Sequence, residues 1–159
     1  MVRYPCNDRR HQLVGNVTYR LPWAFQLGAV AQARSGLPWS VTTGIDNNRD
    51  TFIVDRPDLA VPGGDPTDRA TYSSAFTGRV GNLGRNTNIG AGFFRLDARL
   101  SKIVRMGHRR LEGFAEGFNL TNRVNFGSPT GNLRSANFGR ATAITGNMRQ
   151  VEFGVRFDF

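Results

Sequence analysis

Arg149-Gln-Val-Glu-Phe-Gly-Val-Arg-Phe-Asp-Phe159 alternates without a break. Val151, Phe153, Val155, Phe157 and Phe159 share one parity, and Gln150, Glu152, Gly154, Arg156 and Asp158 share the other. Successive strand side chains point to opposite faces, so this segment has one apolar face and one charged face. A helical period would scatter both sets around its axis. The stretch predicts a strand over 148–159, and the same pattern recurs upstream.

Leu13, Val17, Tyr19 and Leu21 oppose Gln12, Asn16, Thr18 and Arg20 within a strand expected at 11–21. Phe25, Leu27, Ala29, Ala31 and Ala33 oppose Gln26, Gly28, Gln32 and Arg34 at 25–34. Phe94, Leu96, Ala98 and Leu100 oppose Arg95, Asp97, Arg99 and Ser101 at 94–102. A fifth strand at 110–120 is less regular, because Phe114 and Phe118 share parity with Glu112 and Glu116. The pattern predicts an all-β, antiparallel, up-and-down meander of about five strands.

The connections alternate in length. Tight links around Pro22 and Gly107 contrast with two Gly-, Asn- and Arg-rich stretches, 35–92 and 120–147, that show no sustained period. Long irregular connections are unusual in a compact soluble domain. They are ordinary in a transmembrane β-barrel, which has short turns at one end, long loops at the other, and strands apolar outside and polar inside. Closure into a barrel is what satisfies the backbone of a spanning sheet. Tyr19, Trp23 and Phe25 around the short turn, with Trp39 beyond the other end, suit interfacial aromatic girdles. The soluble counterpart is an antiparallel sandwich, which expects compact turns and strands at closer spacing.

Composition narrows the classes further. The 159 residues include 19 Gly and 12 Phe, and only Lys102 of the 21 basic residues is Lys. The longest apolar-leaning stretch, Leu21 to Ala33, contains two Gln. It is well short of the ~20 residues of a spanning helix. The N-terminus lacks the apolar core of a signal peptide. Cys6 is the single cysteine, which excludes an internal disulfide framework. A net charge of +9 invites a polyanion-binding reading, but the arginines are spread from Arg3 to Arg156. A soluble basic β-domain that binds nucleic acid or other polyanions is therefore the alternative function, and a barrel reading expects no nucleic acid.

No catalytic constellation is present, so the chain reads as no enzyme. His11 and His108 sit at different strand ends without a paired nucleophile. The loop glycines lack a Gly-Lys-Ser or Gly-Lys-Thr phosphate cradle. Arg95, Asp97 and Arg99 predict a lumenal charge ladder. Glu112 and Glu116 are also expected to face the lumen, because a charge facing lipid is costly, and that places Phe114 and Phe118 inward too. Asp46, Asn48 and Asp50 place oxygens at i, i+2 and i+4, the opening of a calcium loop, and Asp55 adds a fourth. Thr51 and Pro57 stand where an EF-hand needs Gly and a bidentate Glu. Calcium ligation and an Asx-capped turn are both readings of that loop; otherwise no cofactor is expected.

A strand ending in Phe-Asp-Phe159 resembles the C-terminal targeting strand of Gram-negative outer-membrane proteins. Glu116-Gly-Phe-Asn-Leu-Thr-Asn-Arg-Val-Asn-Phe126 is similar to the segment before the last strand of TonB-dependent receptors, especially the Oar-like, carboxypeptidase-regulatory-domain-containing subgroup. Asp8-Arg-Arg-His11, Ser35-Gly-Leu-Pro-Trp39, Gly84-Arg-Asn86 and Arg95-Leu-Asp-Ala-Arg-Leu-Ser-Lys102 resemble the same subgroup in order and spacing. The resemblance implies a cell outer membrane location and a role in solute binding and uptake. It also implies that Val151, Phe153, Val155, Phe157 and Phe159 are the signal read by the barrel-assembly machinery.

Such receptors have about 22 strands around a plug. Five strands are fewer than the ~8 of the smallest membrane barrels, so the chain reads as a barrel fragment without plug or coupling box. Its expected partners are the remainder of the parent barrel and plug, the assembly machinery, and lipopolysaccharide or membrane lipid. The TonB complex would be reached only through the missing plug, and energised transport by the fragment alone is not expected. With Phe159 periplasmic, the long loops are extracellular. Their arginines, Arg49, Arg56, Arg79, Arg85, Arg134 and Arg140, would form an outer rim that is either solvated or in contact with anions.

Overall fold

Nine strands and one 3₁₀ turn account for the regular structure of the computed structural model, which describes residues 8–73 and 78–159. Cys6 lies outside the described residues. Five long strands form one antiparallel sheet: β1 (Gln12–Arg20), β2 (Phe25–Arg34), β7 (Phe93–Met106), β8 (Arg109–Phe118) and β9 (Gln150–Asp158). Its order is β1-β2-β7-β8-β9, so every neighbour is the next long strand in the chain. Two-residue ladders pair β3 (Pro38–Trp39) with β6 (Asn88–Ile89), and β4 (Asp58–Leu59) with β5 (Tyr72–Ser73). No helix among the described residues is long and apolar enough to cross a membrane.

Register follows the alternation. Phe25 opposes Lys102, Leu27 opposes Leu100, and Ala29 opposes Ala98 across β2 and β7. Leu100 opposes Ala115, which opposes Phe153. One face therefore collects Leu13, Val17, Tyr19, Leu27, Leu100, Val151, Phe153, Val155 and Phe157. A one-residue slip would turn that whole set onto the other face, so the pattern specifies the register.

Tight hairpins close the short-turn end. Trp23 and Ala24 have φ of 57° and 62°, which puts both central residues of the first hairpin in the left-handed region. That hand matches the twist of the flanking strands, although neither residue is the Gly or Asn that usually supplies it. In the second hairpin Gly107 takes φ 62°. Because only Gly107 and His108 make that turn, β7 continues to Met106 and β8 starts at Arg109, so β7 passes the end expected at 102. β8 stops at Phe118 because Asn119 turns left-handed, with φ 48°.

The chain divides into two compact units. The sheet unit comprises residues 11–34, 93–125 and 145–159; the other takes most of the two long connections, 35–92 and 126–144. The two long connections, which show no sustained sequence period, nevertheless pack a core of their own. Trp39, Val41, Tyr72, Leu83, Leu133 and Phe138 form a buried apolar cluster in the loop unit, with Leu59 packed against it. Phe138 packs against Trp39 and Tyr72 in edge-type contacts, at centroid distances of 6.4 and 6.0 Å. Arg69 lies over the same ring and donates from Nε to the Leu133 carbonyl at 3.0 Å. Gly36 passes so close to the Gly90 carbonyl that any side chain there would collide with backbone. These contacts join residues far apart in sequence, so no local period announces them.

Candidate functional site

Burial on the sheet is inverted relative to a soluble protein. Ser101 and Glu112, on the polar face, are buried, whereas Phe153 and Val155 on the apolar face are 80% and 74% exposed. An exposed contiguous apolar face marks a surface that meets something other than water.

The polar face holds a charge network. Arg99 donates to Glu112 at 3.2 Å and to Glu116 at 3.4 Å, and Arg110 reaches the second Glu112 oxygen at 3.1 Å. Arg95 pairs with Asp97 at 2.8 Å. Arg99 and Glu116 are cross-strand partners, and Glu112 sits two strand pairs further along β8 on the same face. Phe114 and Phe118 lie on that face as expected, each beneath a guanidinium: Arg99 over Phe114 at 3.9 Å and Arg95 over Phe118 at 5.7 Å. The residues expected to face inward thus form two groups on one face, Arg95 with Asp97 and Arg99 with Glu112 and Glu116. Arg110 joins the second group through Glu112, a member missed because it lies at the strand start.

Asn119 and Asn125 are the site residues whose roles the sequence left unstated. β8 ends opposite the middle of β7, leaving the first residues of β7 without a strand neighbour on that side. Asn125 fills the gap with its amide: Oδ1 accepts from the Phe94 N–H at 2.8 Å and Nδ2 donates to the Phe94 carbonyl at 2.9 Å. The side chain imitates a paired peptide unit. Asn119 donates its backbone N–H to Asp97 and its Nδ2 to the carbonyls of Arg123 and Asn147. Both residues are buried. The repeated Asn of residues 116–126 therefore splice the β8–β9 connection onto β7.

On β9 the five alternate residues proposed as an assembly signal lie along one line. Val151, Phe153, Val155 and Phe157 share the apolar face, and Phe159 follows, its ring stacked on Phe157 at 6.0 Å. Among the described residues β9 pairs only with β8 and stands at one end of the sheet order, as β1 does at the other.

A family model described as an outer membrane beta barrel domain matches residues 4–152. The chain belongs to that family. No curated protein and no solved structure gives a significant match. For an outer membrane beta barrel domain the inverted burial has a direct meaning. The apolar face meets lipid and the charged face meets the interior, as bilayer energetics require. The soluble polyanion-binding domain is displaced by this assignment, and the location is the outer membrane.

The acidic loop lies in the other unit. Asp46 accepts from the N–H groups of Asp50 and Thr51, and Asp55 Oδ2 accepts from those of Asn47 and Asn48 at 2.6 and 3.0 Å. Asn48 donates to Asp50, whose other oxygen accepts from Phe52 N–H. The Asn48 amide, then the Phe52 N–H, holds the Asp50 carboxyl below its usual range. The four residues gather in one loop, where their oxygens cap backbone donors. Among the described residues no three His, Cys, Asp or Glu side chains converge as a metal cage. Of the loop arginines, Arg79 pairs with Asp58 at 2.9 Å, and Arg85, Arg134 and Arg140 are exposed.

Proposed function

We propose that the chain is the distal part of a TonB-dependent receptor-like barrel of the Oar-like subgroup, in the outer membrane of a Gram-negative bacterium. It contributes loop and interior surface to solute binding and uptake by the intact protein. The observation that carries this reading is the sheet itself, five amphipathic strands with β1 and β9 lacking a second neighbour among the described residues. A spanning sheet must close, and further strands of the parent barrel would satisfy those edges. The Asn-rich splice of residues 116–126 supports the more specific receptor reading through its sequence resemblance.

In this account the short turns face the periplasm and the long connections are extracellular. The partners are the rest of the barrel, a plug covering Phe114 and Phe118, the assembly machinery at β9, and membrane lipid. The TonB complex acts through the plug. The chain carries out no catalysis of its own.

An antibody against residues 126–144, used on outer-membrane fractions of the native host, tests the reading. A polypeptide several times the chain's own mass, whose uptake function stops when the proton-motive force is collapsed, is the expected result. A product of 17.6 kDa alone would contradict it.

A further inference from the structure

β2 begins at Phe25 opposite Lys102, whereas β7 runs on to Met106. The β7–β8 hairpin therefore projects past the Pro22 turn and leaves a notch beside it. A cavity of about 530 Å³ occupies that notch, lined by Arg20, Gln26, Phe25, Ile103, Arg105 and Arg110. Register puts the polar members on one face: Arg20 opposes Gln26, and Arg105 opposes Arg110.

The charge is unbalanced. Like charges directly opposite on neighbouring strands repel, and Arg105 and Arg110 are such a pair. Among the described residues Glu112 is the one carboxylate bonded to this group, dividing its oxygens between Arg110 and Arg99, while Asp158, the cross-strand neighbour of Arg110, pairs with Arg156. Neither Arg20 nor Arg105 has an ion pair among the described residues. Three forked donors around a walled notch, with a Gln amide beside them, match a tetrahedral oxyanion, since guanidinium groups bind phosphate through paired N–H bonds.

We propose that Arg20, Arg105 and Arg110, with Gln26, form a binding site for a phosphate-bearing anion at the short-turn end of the polar face. The anion offsets the Arg105–Arg110 repulsion and supplies the negative partner that Arg20 and Arg105 lack among the described residues. Ile103, which shares the polar parity, forms an apolar wall that limits water on one side and so strengthens the ionic contacts. The site rests on the geometry of the sheet and is independent of the receptor reading above.

The test titrates pyrophosphate by calorimetry into the full chain refolded in neutral detergent micelles, against Arg105→Gln, Arg20→Gln and the loop variant Arg134→Gln. Saturable binding is expected, weakened roughly tenfold or more in the first two variants, the loss of about one charge-assisted hydrogen bond. Arg134→Gln should bind as the parent does. Arg105→Lys keeps the charge and removes the fork, and it should also weaken binding. Circular dichroism of each variant confirms that the sheet is retained. Equal weakening by all single-arginine variants, undiminished affinity in Arg105→Lys, or no saturable binding would each overturn the site. Micelles containing phosphatidylglycerol distinguish lipid from free anion. Competition between that lipid and pyrophosphate supports one shared pocket, whereas lipid binding that pyrophosphate cannot displace would overturn it.

Discussion

The guanidinium of Arg99 lies over the ring of Phe114, 3.9 Å from its centroid, while its nitrogens hold Glu112 and Glu116 on either side. Glu112, Phe114 and Glu116 are alternate residues of β8, so one arginine on β7 covers an acid–aromatic–acid strip. The ring in turn lies across Gly154 of β9, its cross-strand partner. A Cβ at Gly154 would fall inside the contact distance of that ring. Gly154→Val should push Phe114 out from under Arg99 and cost about 1–3 kcal/mol. Urea unfolding in detergent micelles reads the change. Stability unchanged from the parent would show that the ring's position is unimportant.

Asn125 offers a cleaner subtraction. Asn125→Ala leaves the Phe94 N–H and carbonyl without partners, a loss of about 1–3 kcal/mol where the groups stay buried. Asn125→Asp keeps the acceptor for the Phe94 N–H but removes the donor, so it should lie between the two. Hydrogen exchange at Phe94 should rise in Asn125→Ala and stay nearly parental in Asn125→Asp. Equal exchange in all three proteins would contradict the splice.

Acid should loosen the loop unit before the sheet. Asp58 is held below the usual carboxyl range first by its bond from Arg79 and then by the Asn82 N–H; Asp65 is lowered by the Thr67 N–H and hydroxyl. A carboxyl whose folded pKa is depressed contributes stability above its unfolded pKa, about 4. That contribution is lost as pH falls through the lower folded value. Proteolysis within 58–82 should therefore accelerate below about pH 4. In Asp58→Asn it should be faster at neutral pH and less dependent on acid. Acid sensitivity identical in parent and variant would sink this assignment.

Calcium at Asp46, Asn48, Asp50 and Asp55 meets direct competition, because these oxygens already accept backbone N–H groups. Calcium should leave protease protection of 46–55 unchanged, and Asp46→Ala should open the loop with or without it. Protection that appears with calcium in the parent and disappears in Asp46→Ala would establish the cation site instead.

The legible parts of the fold share one cause. Strand alternation is a local property, so Phe153, Leu100 and Ala29 announce their face from nearest neighbours alone. The shared face of Arg95, Asp97 and Arg99 was legible for the same reason, while Glu112 and Glu116 were placed inward by the cost of a charge facing lipid. Trp39, Tyr72 and Phe138 were not, because their packing joins separate connections and leaves no period. Arg110 lies on the predicted polar parity, but Arg105 falls in the stretch read as a link, and the notch depends on how far β7 outruns β2. That distance is set by the two-residue turn at Gly107, which the sequence marks only as a link. Asn125 was visible as part of a family-like segment, yet its peptide-mimicking bonds appear only once β8 is seen to stop at Phe118.

A nitroxide scan along β7 tests the central claim, that the apolar face meets lipid. Single cysteines at 94 to 101 in a Cys6→Ser background, reconstituted into phospholipid vesicles, report oxygen and aqueous-reagent accessibility residue by residue. Positions 94, 96, 98 and 100 should be rich in oxygen and shielded from the aqueous reagent, with 95, 97, 99 and 101 the reverse. A flat profile, or aqueous access at both parities, would contradict the account.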